Sequence, residues 1–194
     1  MKTIIGLTGG TGCGKSSAAT YLQKKGAFII DADEIARRMT APGTPTSMEV
    51  LAAFPEAAAP DGSFSRKRLG ALVFSDPEKL TKLNAITHPA IIREIRGLIE
   101  RTTAPLMVLD APLLFQSNLE DVCTVTVGFL ADKATRIHRI MERDGLDEAG
   151  ANNRIASQPD DDYYRTRATH IIENNGSLSA VYEQIESILK ELSL

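Results

Sequence analysis

At 194 residues, with 43% hydrophobic and 24% charged side chains, the chain has the length of one sizeable domain and a globular composition, which excludes pervasive disorder. Two cysteines cannot staple a chain of this size, so Cys13 and Cys123 read as reduced thiols and the protein as cytoplasmic. Lys and Arg number 22 against 25 Asp and Glu, a formal charge of −3, so there is no global basic footprint for nucleic acid; any polyanion must be held by local groups.

In chain order, residues 3–8 form a first apolar run that leads straight into glycines, a strand and not a signal peptide. A helix is expected over 16–25, stopped by Gly26, then a strand over 27–30 and a helix over 34–39. Pro42, Gly43, Pro45, Pro55, Pro60 and Gly62 mark turns. Ser75 and Glu78 read as a capping box. The helix it opens, with Leu80 and Leu83, is expected to end near His88-Pro89, because a residue before proline is pushed out of the α region; a separate helix follows over 91–100. Further strands are expected over 105–110, 123–129 and 170–173. Leu178, Val181, Ile185, Ile188 and Leu192 place one face of a last helix on the sheet. The strand runs are nearly continuous in Ile, Val and Leu, the pattern of a parallel sheet covered on both faces, hence an α/β fold. The gaps after the second and fourth strands exceed what a crossover helix needs, so both hold insertions. The longest uncharged apolar run, 122–131, is far short of the about 20 residues that cross a bilayer.

The strongest chemical signal is Gly9-Gly10-Thr11-Gly12-Cys13-Gly14-Lys15-Ser16, a G-x-x-x-x-G-K-S phosphate-binding loop between a strand and a helix. Glycines let the backbone curl so that successive N–H groups meet phosphate oxygens. Lys15 is suited to the β- and γ-phosphates and the Ser16 hydroxyl to Mg²⁺, with the helix N-terminus adding partial positive charge. The Cys13 thiol reads as a small side chain at a variable position, without a role of its own.

Asp31 and Asp33 follow the second strand, where ligands of open parallel sheets sit. Either can orient a hydroxyl, accept its proton or hold Mg²⁺ through water; capping of the next helix explains one aspartate but the pair less well. Arg136, Arg139 and Arg143 share one helix face, with Arg154 further on. By charge count alone that face is solvated, with Glu142, Asp144, Asp147 and Glu148 as partners; the phosphate loop elsewhere in the chain favours phosphate recognition. His88 reads as a helix-ending residue. Asp110 ends the third strand, a position from which a carboxylate can reach Mg²⁺ through water.

With these residues in place the chain resembles the dephospho-CoA kinase family over nearly its whole length. The matching segments are Thr8 to Ser16, then Asp31-Ala32-Asp33 with Ala36 and Arg37, then Asp61-Gly62 with Arg66 or Arg68 and Leu69 to Phe74. His88-Pro89 with Ile91, Pro112 to Phe115, Arg139, Arg143 and Asp144 with Arg154, Ile155 and Gln158, and Asn174 to Ser177 complete the series. Gln116 departs from the family's usual Glu, and Thr169 from its common Asp.

The resemblance implies a doubly wound P-loop fold with a five-stranded parallel sheet of order 2-3-1-4-5. Its nucleotide-binding core would comprise residues 1–33, 103–131 and 168–194, with a helical acceptor-binding insertion over 34–102 and a lid over 132–167. It implies ATP, Mg²⁺ and dephospho-CoA as ligands, with phosphoryl transfer to the ribose 3′-hydroxyl, and no nucleic acid, membrane or obligatory protein partner. Asp33, Lys15 and Arg143 would be catalytic. Gly12, Cys13, Gly14, Lys15, Ser16, Ser17, Arg139 and Asn175 would bind nucleotide; Asp33, Arg37 and His88 would bind the acceptor; Ser16 would ligate the metal. The competing readings are another small-molecule or nucleoside monophosphate kinase, which the D-A-D and H-P segments oppose, and a nucleotide-dependent regulatory switch, which lacks an N-K-x-D guanine motif.

Overall fold

The computed structural model describes residues 2–73 and 76–194. Met1, Phe74 and Ser75 fall outside these residues, and with them the Ser75 cap and the Phe74 end of the matched segment. The chain divides into two compact units: one comprises residues 1–31 and 103–194, the other residues 32–102.

The first unit is built on five strands: β1 (Thr3–Gly9), β2 (Phe28–Asp31), β3 (Leu106–Asp110), β4 (Val125–Leu130) and β5 (His170–Glu173). They form one parallel sheet of order β2-β3-β1-β4-β5, as the resemblance implies. The central strand β1 is buried from Ile4 onward, which is why its sequence is apolar without alternation. Ile5 and Leu7 join a core with Ala18 and Leu22 of α1 (Lys15–Lys24) and Val181 and Ile185 of α9 (Leu178–Glu191). On the other face there is no room above Gly6: a Cβ there would lie 2.7 Å from Cys123 Sγ and 3.0 Å from Leu114. Between β4 and β5 run α6 (Lys133–Asp144), α7 (Glu148–Ala156) and α8 (Asp161–Arg165). Asp147 and Asp160 cap the last two by accepting N–H bonds from Gly150 and Tyr163.

The second unit is helical: α2 (Ala32–Met39), α3 (Pro45–Ala53), α4 (Arg66–Val73) and α5 (Pro77–Arg101). Val50, Phe54, Ala57, Phe64, Leu69 and Val73 make its core, with Leu83 and Ile86 of α5 against them. Helix α5 starts at a cap on Asp76, whose carboxylate accepts the Glu78 and Lys79 N–H groups at 3.0 and 3.2 Å. No helix among the described residues is long and apolar enough to cross a membrane.

Two sequence expectations are corrected here. Residues 77–101 are one helix, not two, and His88-Pro89 lies inside it. Proline costs the helix one N–H and crowds the preceding turn, yet Thr87 and Ile95 on either side of it are buried, and such tertiary packing outweighs a single break. Helix α2 begins at Ala32 rather than Glu34, so Asp33 sits in its first turn and does not cap it.

Pro89 is exposed, so replacing it should leave packing untouched. Pro89→Ala restores the N–H that the Ala85 carbonyl lacks and is expected to stabilise the protein by up to about 3 kcal/mol. Urea unfolding followed by circular dichroism checks it; an unchanged or lower midpoint contradicts it.

Candidate active site

The loop between β1 and α1 turns twice through backbone that favours glycine, at Gly12 (φ 80°) and Gly14 (φ 87°). Gly14 is the N-cap of α1 and supplies no side chain to its first amides. The Ser17 N–H bonds back to the Gly14 carbonyl at 3.2 Å, and the Lys15 and Ser16 amides ahead of it stand at the helix start, the place where helices bind phosphate.

Three successive carbonyls of the loop are tied to side chains. Thr11 O accepts from Arg136 Nε at 3.0 Å, Gly12 O from Arg139 Nη1 at 3.2 Å, and Cys13 O from Asn174 Nδ2 at 2.9 Å. Trans peptides oppose C=O and N–H. The N–H groups of Gly12, Cys13 and Gly14 therefore point away from α6 and Asn174; that of Cys13 turns back on the Gly10 carbonyl at 3.3 Å, while those of Gly12 and Gly14 face the side a phosphate cradle requires. Asn174 is only 2% exposed, and its Oδ1 in turn accepts from Arg139 Nη2 at 3.2 Å. A Cβ on Gly14 would collide with Asn174 Nδ2.

Charge completes the site. Lys15 Nζ pairs with the carboxylate of Asp110, both side chains largely out of solvent. Asp110 is in register with Leu7 of β1 and Asp31 of β2, so two carboxylates sit side by side at the strand ends. Arg143 donates to Thr11 Oγ1 at 3.2 Å, and through Nε and Nη2 to the Asp144 carboxylate at 2.7 and 2.8 Å. Arg154 also binds that carboxylate. The Arg143 hydrogen bond holds Asp144 below the usual carboxylate range. Burial pushes the Cys13 thiol up, in keeping with its place as a core side chain.

The arginine face is solvated at one end only: Arg136 is 6% exposed and Arg139 half-buried, whereas Arg143 is exposed and paired with Asp144, yet all three reach the phosphate loop. Asn175 Oδ1 accepts the Asp132 N–H at 2.7 Å just ahead of α6, which no Asp132 side-chain bond caps. Asn174, its neighbour, belongs to the matched segment Asn174 to Ser177, where the sequence alone assigns it no role; the structure makes it a loop-holding residue, and the paired asparagines after an apolar strand were the available signal. In the second unit, Asp33 and Arg37 are one turn apart on α2, and Arg37 pairs with Glu34 at 2.8 Å. His88 lies within α5, half-buried, and that burial pulls its pKa down.

A parallel 2-3-1-4-5 sheet, a glycine-rich loop after its central strand and arginines converging on that loop define a phosphate-loop kinase. The model of the dephospho-CoA kinase family matches residues 3–180, and the chain belongs to that family. It is 40% identical over 189 residues to the dephospho-CoA kinase of Shouchella clausii, covering 95% of this chain and 96% of that one. Its structure is similar to a crystal structure from Thermus thermophilus, with a TM-score of 0.86, 36% identity and 98% of each chain covered. It is also similar to the dephospho-CoA kinase of Campylobacter jejuni, with a TM-score of 0.70, 26% identity and coverage of 100% and 98%.

Asn174→Ala removes the donor to Cys13 O and the acceptor for Arg139. The buried carbonyl left behind is expected to cost about 1–3 kcal/mol of stability. Chemical denaturation is the measurement, and an unchanged unfolding midpoint would sink the assignment.

Proposed function

We propose that this protein transfers the γ-phosphoryl group of ATP to the ribose 3′-hydroxyl of dephospho-CoA, giving CoA and ADP, the last step of coenzyme A biosynthesis. The observation that carries this reading is the phosphate loop whose three inward carbonyls are tied to Arg136, Arg139 and Asn174, in a chain of this family. In the transfer the bond from the γ-phosphorus to the β–γ bridging oxygen breaks and a bond to the 3′-oxygen forms. Asp33 aligns the hydroxyl and takes its proton. Such a transition state is loose, so alignment matters as much as basicity.

The loop from Gly12 to Ser17 holds the phosphates, the amides of Gly12, Gly14, Lys15 and Ser16 leading and those of Cys13 and Ser17 exchanging their bonds to the Gly10 and Gly14 carbonyls for the nucleotide. Lys15 exchanges part of its contact with Asp110 for the β- and γ-phosphates. Arg143 meets the charge of the transferring group, while Arg139 and Asn175 lie toward the rest of the nucleotide. Arg37 and His88, the latter with its pKa pulled down by burial, bind the acceptor. Residues 34–102 form the acceptor-binding insertion and residues 132–167 a lid that excludes water around ATP.

Mg²⁺ fits the donors present. Ser16 exposes a hydroxyl in the first turn of α1, and Asp110 and Asp31 offer carboxylates at the strand ends. A set this sparse and made only of oxygen suits an ion that keeps several waters and takes phosphate oxygens as ligands. Ser16 would hold it directly, and when bound it neutralises charge on the β- and γ-phosphates. Both cysteines are free, in keeping with a cytoplasmic enzyme.

A coupled ADP-release assay tests the function. ADP is expected only when dephospho-CoA is present; equal release without acceptor, or faster turnover of a nucleoside monophosphate, overturns the reading. Asp33→Asn should lower kcat by about 100-fold or more while leaving the KM for ATP nearly unchanged. Full kcat in that variant would reject Asp33 as the acceptor-handling residue. Excess chelator should bring ADP release to background, and readdition of Mg²⁺ should restore it; activity that survives chelation rejects the metal assignment.

A further inference from the structure

Thr11 occupies a variable position of the phosphate-loop pattern, yet three side chains converge on it. Its N–H donates to Gln158 Oε1 at 2.7 Å, its carbonyl accepts from Arg136 Nε at 3.0 Å, and its hydroxyl oxygen accepts from Arg143 Nη2 at 3.2 Å. Each partner takes a different atom. Arg136 closes the ring: its Nη2 lies 3.5 Å from Gln158 Oε1 and its Nη1 3.7 Å from the Asp161 carboxylate. A guanidinium this buried must have its donors met inside the protein.

The glycines flanking Thr11 make room for this approach. A Cβ on Gly10 would collide with the Arg136 guanidinium, and one on Gly12 would lie 2.9 Å from the Arg136 carbonyl oxygen. These two glycines therefore serve contact with α6 as well as the phosphate. The peptide that carries Thr11 O also carries the Gly12 N–H, so the Arg136 bond sets where that amide points. Gln158 fixes the peptide before it. With both peptides held, the Thr11 backbone is fixed, and its hydroxyl, one χ1 rotation away, is the atom to which Arg143 docks.

We infer that Gln158 and Arg136 are positioning residues that set the register of Arg143 against the phosphate loop, an inference that rests on the kinase reading above. Neither touches the reacting atoms. Both act through the Thr11 backbone, which joins the segment carrying Arg143 to the loop that carries the phosphate.

Because loss of a buried arginine can unfold the chain, the test uses Gln158. Gln158→Leu removes the acceptor at similar volume; Gln158→Glu keeps it. Steady-state kinetics with ATP and dephospho-CoA are measured for both, in the wild-type and the Arg143→Ala backgrounds. Gln158→Leu is expected to lower kcat by about 10-fold or more, since small misplacements of a catalytic group are costly. The KM for ATP should stay within about 2-fold, and Gln158→Glu should restore most of the lost kcat. In the Arg143→Ala background the same leucine substitution should cost much less, because residues acting as a unit are not additive. Equal losses in both backgrounds, a loss confined to KM, or a glutamate variant as poor as leucine overturns the inference while leaving the kinase reading intact. A wild-type protein that releases no ADP in response to dephospho-CoA brings down both.

Discussion

The site depends on where three carbonyl oxygens go. A loop that offers its N–H groups to phosphate must point the opposite ends of the same peptides into the protein, and buried carbonyls need donors. Here Arg136, Arg139 and Asn174 supply them, one for each of Thr11, Gly12 and Cys13. The glycines of the loop permit the path, but these donors select it. Without them the same backbone freedom would allow the amides to turn away. Much of the first unit serves this arrangement: α6 brings two of the donors, and the end of β5 brings the third.

The pairing of Lys15 with Asp110 solves a related problem. A lysine poised for the phosphates of a nucleotide must sit at the strand ends, largely out of solvent, where an uncompensated charge is costly. Asp110 offsets that charge from the end of β3, and the parallel register brings Asp31 alongside it. Arg143 is held in a comparable way, by Asp144 and not by the sheet. Two cations of the site are thus each held by a neighbouring carboxylate.

The fold was legible because its signals are local. The five apolar runs and the loop motif pointed to a parallel sheet, and the resemblance supplied its order. The helix through Pro89 was not legible, since the rule that proline ends a helix is statistical and the packing of Thr87 and Ile95 is a matter of tertiary structure. The α2 start was missed because Ala32 continues from the strand with no turn residue between. At the site, the loop, Lys15 and the spacing of the arginines were all visible. The burial of Arg136 was not: the acidic residues around it in sequence suggested a solvated face, whereas its partners lie 22 and 125 positions away. Asn174 was hidden for the same reason, its contact to Cys13 spanning 161 positions.

That separation has a bearing on how the protein is made. Synthesis delivers β1, the phosphate loop and α1 first, but the neighbours of β1 in the sheet, β3 and β4, begin at Leu106 and Val125. Meanwhile the helices of residues 32–102 can pack on contacts close in sequence, which form early and fast. The carbonyl of Cys13 waits longest, for Asn174, near the end of the chain. The ribosome therefore releases the nucleotide-binding loop long before its last donor exists, and a nascent or truncated chain displays the motif without the geometry that makes it bind.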